Sequence, residues 1–155
     1  MRGGLARAAS VVQAARVEAA RTGGVAVFYF DAGNTIFGQG DLSAETVPQQ
    51  ERKARAMAEA FKVMGLSAKA TGPLDDARGV EFRQSLQLPE LPPGQAALFE
   101  TGGYKLAVVS GPWSKGLAEA TAKARSDGAQ LVLLLLANDW ATALKAVGDP
   151  DLDAD

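Results

Sequence analysis

The sequence predicts a layered α/β fold, a single domain over residues 1–155 with mostly parallel strands and one β-hairpin. Three observations carry that prediction. Apolar residues recur at three- and four-residue spacing in several segments, which is the signature of helices with one inward face. Short runs of β-branched and aromatic residues lie between those segments, as strands buried in a sheet do. A Gly-Gly pair separates two further apolar runs, which marks a hairpin turn.

The elements follow in order. Leu5, Ala8, Ala9, Val12, Ala15 and Ala19 form one helical face, which Gly23 and Gly24 end. Val25 to Phe30 reads as a buried strand running into the polar loop Asp31-Ala32-Gly33-Asn34-Thr35. Pro48 suits the first turn of a helix, and Ala54, Met57, Ala58, Phe61 and Met64 continue at helical spacing as far as Gly65. Leu66 to Thr71 is expected to be a short strand, residues 72–78 a loop, and Val80, Phe82, Arg83 and Leu86 a short helix. Pro89, Pro92 and Pro93 mark an irregular connection.

Ala97 to Thr101 and Tyr104 to Ser110 flank Gly102-Gly103, whose freedom to adopt positive φ fits a tight hairpin. Ser114 is placed to cap a helix with Leu117, Ala120, Thr121 and Ala124 inward, closed by Gly128. Leu131 to Leu136 is expected as a fully buried strand, and a last helix turns Trp140, Ala143, Leu144 and Val147 inward before Gly148 and Pro150. The acidic tail Asp149, Asp151, Asp153 and Asp155 lacks the Gly and distal Glu of an EF-hand loop and reads as a frayed terminus.

Composition narrows the chemistry. The 155 residues include no histidine and no cysteine, which excludes disulfides, thiolate metal sites, cysteine nucleophiles and imidazole-dependent catalysis. Sixteen basic against eighteen acidic residues leave a net charge of −2 and no dense Lys/Arg stripe, so nucleic acid is not an expected partner. No apolar run approaches the roughly 20 residues of a membrane span, and the opening Ala- and Arg-rich segment has no signal-peptide core. The expectation is a soluble protein.

Several segments, read together, resemble the 5′-nucleotidase branch of the calcineurin-like metallophosphoesterases. Arg2-Gly3-Gly4-Leu5-Ala6-Arg7 resembles that family's Gly-Gly-Leu-Ala-Arg helix start, and Phe30-Asp31-Ala32-Gly33-Asn34-Thr35 its strand-end Asp-Ala-Gly-Asp-Thr. The helix and strand from Ala56 to Ala68, the hairpin strand Gly103 to Gly111, and Asp127-Gly128-Ala129-Gln130-Leu131-Val132 resemble later pieces in the same order. The resemblance implies an α/β sandwich of metallophosphoesterase type, here apparently without the family's first and last strands and motifs. It also implies a periplasmic or cell-envelope origin.

Enzymes of that family use two divalent cations to polarise a phosphoester and generate hydroxide. Under the resemblance, Asn34 stands where the metal-bridging Asp belongs, so a neutral amide replaces a carboxylate. Pro73 and Leu74 stand for the Asn and His of a Gly-Asn-His-Glu loop, with Asp75 at its Glu. Leu136 and Ala137 stand where a Ser-His pair is expected. Asn34, Leu74 and Ala137 are thus vestigial positions, and the implied protein is a non-catalytic binding or assembly module whose partner is an unidentified protein or a flanking domain. No cofactor is expected, beyond Mg²⁺ or Mn²⁺ held weakly at Asn34 and Asp75.

Plainer readings stand beside these. Asp31 and Asn34 suit turn chemistry, since both residue types bond their own backbone and tolerate left-handed φ. Asp75-Asp76, in a Pro- and Gly-bounded loop, reads as a solvated turn. Trp113 and Trp140 read as groove or core residues. Phe30 to Thr35 also resembles the first motif of haloacid dehalogenase-like phosphatases, which need Mg²⁺ and no histidine. Asp31 would then be the nucleophile, Ser110 would hold phosphate, Lys115 or Lys123 would neutralise it, and Asp149 would help bind the metal. That alternative lacks the second Asp, because Gly33 takes its place.

Overall fold

The computed structural model describes residues 4–112, 114–148 and 154. Its elements are α1 (Leu5–Arg21), β1 (Tyr29–Asp31), α2 (Val47–Met64), β2 (Leu66–Ala70), a 3₁₀ turn (Pro73–Asp76), α3 (Val80–Ser85), β3 (Glu90–Leu91), β4 (Ala96–Thr101), β5 (Tyr104–Ser110), α4 (Lys115–Ser126), β6 (Leu131–Leu135) and α5 (Trp140–Val147). Strands β1, β2 and β3 form one parallel sheet in that order. The second sheet runs β4-β5-β6, with the β4/β5 hairpin antiparallel and β6 parallel to β5. The parallel strands plus one hairpin expected from sequence are present, divided between two sheets.

The side chains explain the layers. Ala70, Leu91, Val108 and Leu135, joined by Phe30, Ala97, Phe99 and Leu106, fill the space between the sheets. The Phe28 and Phe30 rings lie 5.0 and 5.2 Å from that of Phe99 across this interface. The other face of the first sheet is covered by Ala54, Ala58, Phe61 and Met64 of α2 with Phe37 and Leu86, and Leu5, Ala8 and Ala9 of α1 and Phe82 of α3 pack against that core. The other face of the second sheet carries Ala107, Val109 and Val132 against Leu117 and Ala124 of α4. On β5 the alternation Ala107, Val108, Val109 therefore serves two different cores, as a strand's two-residue period dictates.

Local signals operate as the sequence suggests. Gly65 ends α2 at φ +68, and Ser114 caps α4 by accepting from the Leu117 N–H. Gly102 and Gly103, at φ +56 and +82, supply the two positive values that a two-residue hairpin needs.

Several expectations are corrected. Of the Val25–Phe30 run only Tyr29 and Phe30 join a ladder, with Asp31 beyond it, because its one described strand partner, β2, begins opposite Tyr29, and Val25 is left exposed. The loop at 72–78 contains a 3₁₀ turn, and the proline-rich connection holds the two-residue strand β3. In α1, Ala15 faces solvent and Arg16 takes the inward position, reaching the Gly65 carbonyl. Strand β6 is not fully buried, since Leu131 is 48% exposed. In α5 it is Ala146, not Leu144, that is buried. The side chains of Trp140 and Val147, and the whole of Trp113, lie outside the described residues. No described helix is long and apolar enough to cross a membrane.

Two substitutions in α2 test this packing. Phe61→Ala should cost about 3–5 kcal/mol of unfolding free energy in a denaturant titration. Val63→Ala, at a site that is 85% exposed, should leave the midpoint nearly unchanged.

Candidate functional site

The C-terminal ends of β1 and β2 and the loops that follow them converge on one cluster of polar groups. A register irregularity between Tyr29 and Phe30 starts it. Tyr29 and Leu66 both contribute to the helix-side core, whereas Phe30 and Ala70 face the other sheet. The extra residue on β2 thus reverses its alternation, and Asp31, Lys69 and Glu90 become cross-strand neighbours in register. Charges lie side by side there in the order negative, positive, negative.

Beyond β1 the chain turns sharply. The Asp31 carboxylate accepts from the Gly33 N–H at 3.0 Å and from the Thr35 hydroxyl at 2.9 Å, an Asx-type turn. Gly33 and Asn34 take φ +92 and +58, values that Gly and Asn tolerate best. The Asn34 side chain then spans the cluster. Its Oδ1 accepts from the Leu74 N–H at 2.9 Å and its Nδ2 donates to the Ala137 carbonyl at 3.2 Å. The amide lies so close over Gly72 that a Cβ at that position would run into it. A side chain at 72 would therefore have to displace the Asn34 amide.

Asp75 holds the loops together. Its Oδ2 accepts from the Asn34 N–H at 2.9 Å, the Gly72 N–H at 3.0 Å and the Lys69 ammonium at 2.7 Å. Its Oδ1 accepts from the N–H groups of Thr35 and Ile36, each at 3.0 Å. Both Asp75 and Lys69 are fully buried. Burial pushes the Asp75 carboxyl upward, but the bonds from Gly72, Lys69 and Ile36 and the lysine charge outweigh it, leaving it below the ordinary value of 3.8. The Lys69 ammonium also donates to the Ala70 carbonyl at 2.9 Å and lies 3.3 Å from Asp31.

A second pair of charges flanks the first. Arg83 of α3 bonds Asp76 at 2.6 Å and also pairs with Glu90. Burial raises the Glu90 carboxyl, Arg83 and Lys69 draw it back in part, and Asp75 and Asp76 push it up further. Its Oε1 is buried without a hydrogen-bond partner.

Of the residues singled out in sequence, Asn34, Leu74, Ala137, Asp31 and Asp75 meet in this cluster. Asp75 is not part of a solvated turn: it lies at the centre, because its two oxygens satisfy N–H groups of two loops. Asp31 and Asn34 do adopt the turn geometry expected of them. Ser110 is buried, but its hydroxyl donates to the carbonyls of Leu91 and Pro92, where it fastens β5 to the end of β3. Lys115 lies on the surface, 4.0 Å from Glu119, and Lys123 pairs with Asp127. Asp149 and the acidic tail residues 151, 153 and 155 lie outside the described residues. Lys69 was missed from sequence. Its signal was a lone charge within the expected strand Leu66 to Thr71, since a lysine buried in a sheet demands a counter-charge.

Among the described residues no three carboxylate side chains converge as a metal cluster. Asp31 and Asp75 are engaged by backbone N–H groups, by the Thr35 hydroxyl and by Lys69, and Asp76 and Glu90 pair with Arg83.

No protein family and no curated protein matches the chain in sequence. Its fold is similar to that of a solved structure of metallophosphoesterase type, the sulfate thiohydrolase SoxB of Thermus thermophilus in complex with glycerol. That likeness has a TM-score of 0.67 at 19% identity and covers 86% of this chain. The chain spans only 30% of the length of that protein.

Removing the central carboxylate should be severe. Asp75→Ala is expected to cost about 3–5 kcal/mol at neutral pH, because it leaves a buried ammonium and four loop N–H groups without their acceptor. The folded-state value of Asp75 lies below its unfolded one, so its contribution is complete above pH 3.8 and is lost as pH falls through the folded value. The acid limb of a stability-against-pH curve should accordingly be shallower for Asp75→Asn than for the parent. Gly72→Ala should destabilise as well, with the Asn34 side-chain resonances shifted in an NMR spectrum.

Proposed function

We propose that this chain is a divergent 5′-nucleotidase-type metallophosphoesterase-like domain that no longer hydrolyses phosphoesters and serves as a binding or assembly module. The observation that carries the reading is the engagement of Asn34. A two-metal centre needs an anionic oxygen bridging both cations, so that attacking and leaving oxygens are stabilised together. Asn34 brings a neutral amide to that position, and both its polar atoms are committed to main-chain groups of the other two vestigial positions, Leu74 and Ala137. Turning its Oδ1 toward a metal would strand the Leu74 N–H, at a cost of about 1–3 kcal/mol.

The three positions have been converted from ligands into a brace that ties the β1, β2 and β6 loops together. With no histidine in the chain, no imidazole is available to ligate metal or protonate a leaving group. The layers persist because their cores are independent of the former chemistry, which is the condition under which a domain is kept for contact. Its partner is a second protein or a flanking domain. No resident cofactor is required, and any Mg²⁺ or Mn²⁺ at Asn34 and Asp75 is weak. A periplasmic or cell-envelope setting fits the resemblance.

The purified protein should show no turnover of a nucleotide or a phosphodiester with added Mn²⁺, and elemental analysis should find well under one ion per chain. Robust Mn²⁺-dependent hydrolysis would sink the proposal. Mg²⁺-dependent turnover abolished by Asp31→Asn would instead favour the aspartyl-nucleophile alternative.

A further inference from the structure

We infer that Lys69 is the built-in cation of the strand-end cluster: its own ammonium supplies the positive charge that Asp31 and Asp75 require, and it closes the cluster to divalent metals. The inference rests on reading the cluster as a former metal centre, and it identifies what took over the charge.

The geometry around Nζ resembles a small oxygen cage. Three oxygens from three residues surround it: Asp75 Oδ2 at 2.7 Å, the Ala70 carbonyl at 2.9 Å and Asp31 Oδ1 at 3.3 Å. Two of its three N–H donors are spent in hydrogen bonds to Asp75 and Ala70, and Asp31 adds an ion-pair contact. Lys69 and Asp75 are both fully buried, so no solvent screens this pair, and the lysine brings the full positive charge that the backbone N–H groups around the carboxylates lack.

A metal ion has no place beside it. Asp75 already receives five hydrogen bonds on its two oxygens, more than the roughly four lone-pair directions of a carboxylate. Asp31 Oδ1 accepts from the Gly33 N–H and the Thr35 hydroxyl and is ion-paired with the lysine at 3.3 Å. A divalent ion reaching either carboxylate would face the ammonium at a few ångströms, where like charges in a buried site repel strongly. The residues present therefore disagree with a two-metal centre, and the disagreement has a specific cause at position 69.

The intact protein tests this first. A proton–nitrogen correlation spectrum tuned to lysine ammonium groups at pH 7 should show one slowly exchanging NH₃⁺ signal that disappears in Lys69→Arg. Absence of such a signal overturns the inference. Micromolar Mn²⁺ should leave the amide signals of Gly33, Asn34 and Gly72 no more broadened than the rest. Selective broadening there overturns it too.

Two variants add an independent readout. Lys69→Met keeps the length of the stem and removes the charge, and should lower the melting midpoint by about 10 °C or prevent folding. An unchanged midpoint would mean that only the bulk of the stem matters, against the inference. Lys69→Ala should be raised in midpoint by millimolar propylammonium more than by equal NaCl. Equal effects of the two salts, in a variant that folds, count against a cation cage. The two hypotheses fail separately. Selective Mn²⁺ broadening defeats the built-in cation even without turnover, whereas turnover without such broadening defeats the non-catalytic reading and leaves Lys69 in place.

Discussion

The buried pair of Lys69 and Asp75 is the constraint on which the rest of the strand-end region depends. A carboxylate with no solvent exposure is tolerable only if its charge is met locally, and here five donors meet it. Those donors come from β2, from the turn after it and from the loop after β1. Satisfying one charged group therefore fixes the loop after β1 against β2 and its following turn, two stretches distant in sequence. Loops that would otherwise expose free N–H groups are gathered by it, and Asn34 is held in a left-handed conformation with its amide aimed at Leu74 and Ala137.

The sheets make that arrangement possible. Because an irregularity in β1/β2 pairing reverses the alternation of β2, the strand feeds the helix-side core at Leu66 and the inter-sheet core at Ala70. Lys69 is left facing the same side as Asp31 and Glu90. With regular pairing from Leu66 onward, Lys69 would lie on the opposite face, among the aromatic rings of Phe28, Phe30 and Phe99. The bulge thus belongs to the electrostatics of the site as much as to the architecture.

What the region does chemically follows from its saturation. Catalytic centres keep strained or under-coordinated groups in reserve, whereas most polar atoms here are spoken for by main chain or by a neighbouring charge. Among the described residues the exception is Glu90 Oε1 on β3, buried without a partner, its carboxyl raised chiefly by burial. A fold similar to a hydrolase, at 19% identity, carries no obligation to hydrolyse.

The sequence by itself determined most of the elements and their types, though not β3 or the 3₁₀ turn. Helical spacing located α2 and α4, Ser114 and Gly65 marked their ends, and Gly102-Gly103 marked the hairpin, because propensity, capping and turn geometry act over a few residues. It also determined that imidazole and thiolate chemistry are absent, and it picked out Asn34, Leu74 and Ala137 as positions of interest. Only the tertiary structure decided that the Asn34 side chain bonds the main chain of the other two and that the short parallel strand β3 completes a sheet. It alone showed that Leu131 and Leu144 stay exposed, and it moved Asp75 from an assumed solvated turn to the buried centre. The physical reason is range: burial and charge pairing depend on which segments meet, and a bulge of one residue on β2 set which face Lys69 would occupy.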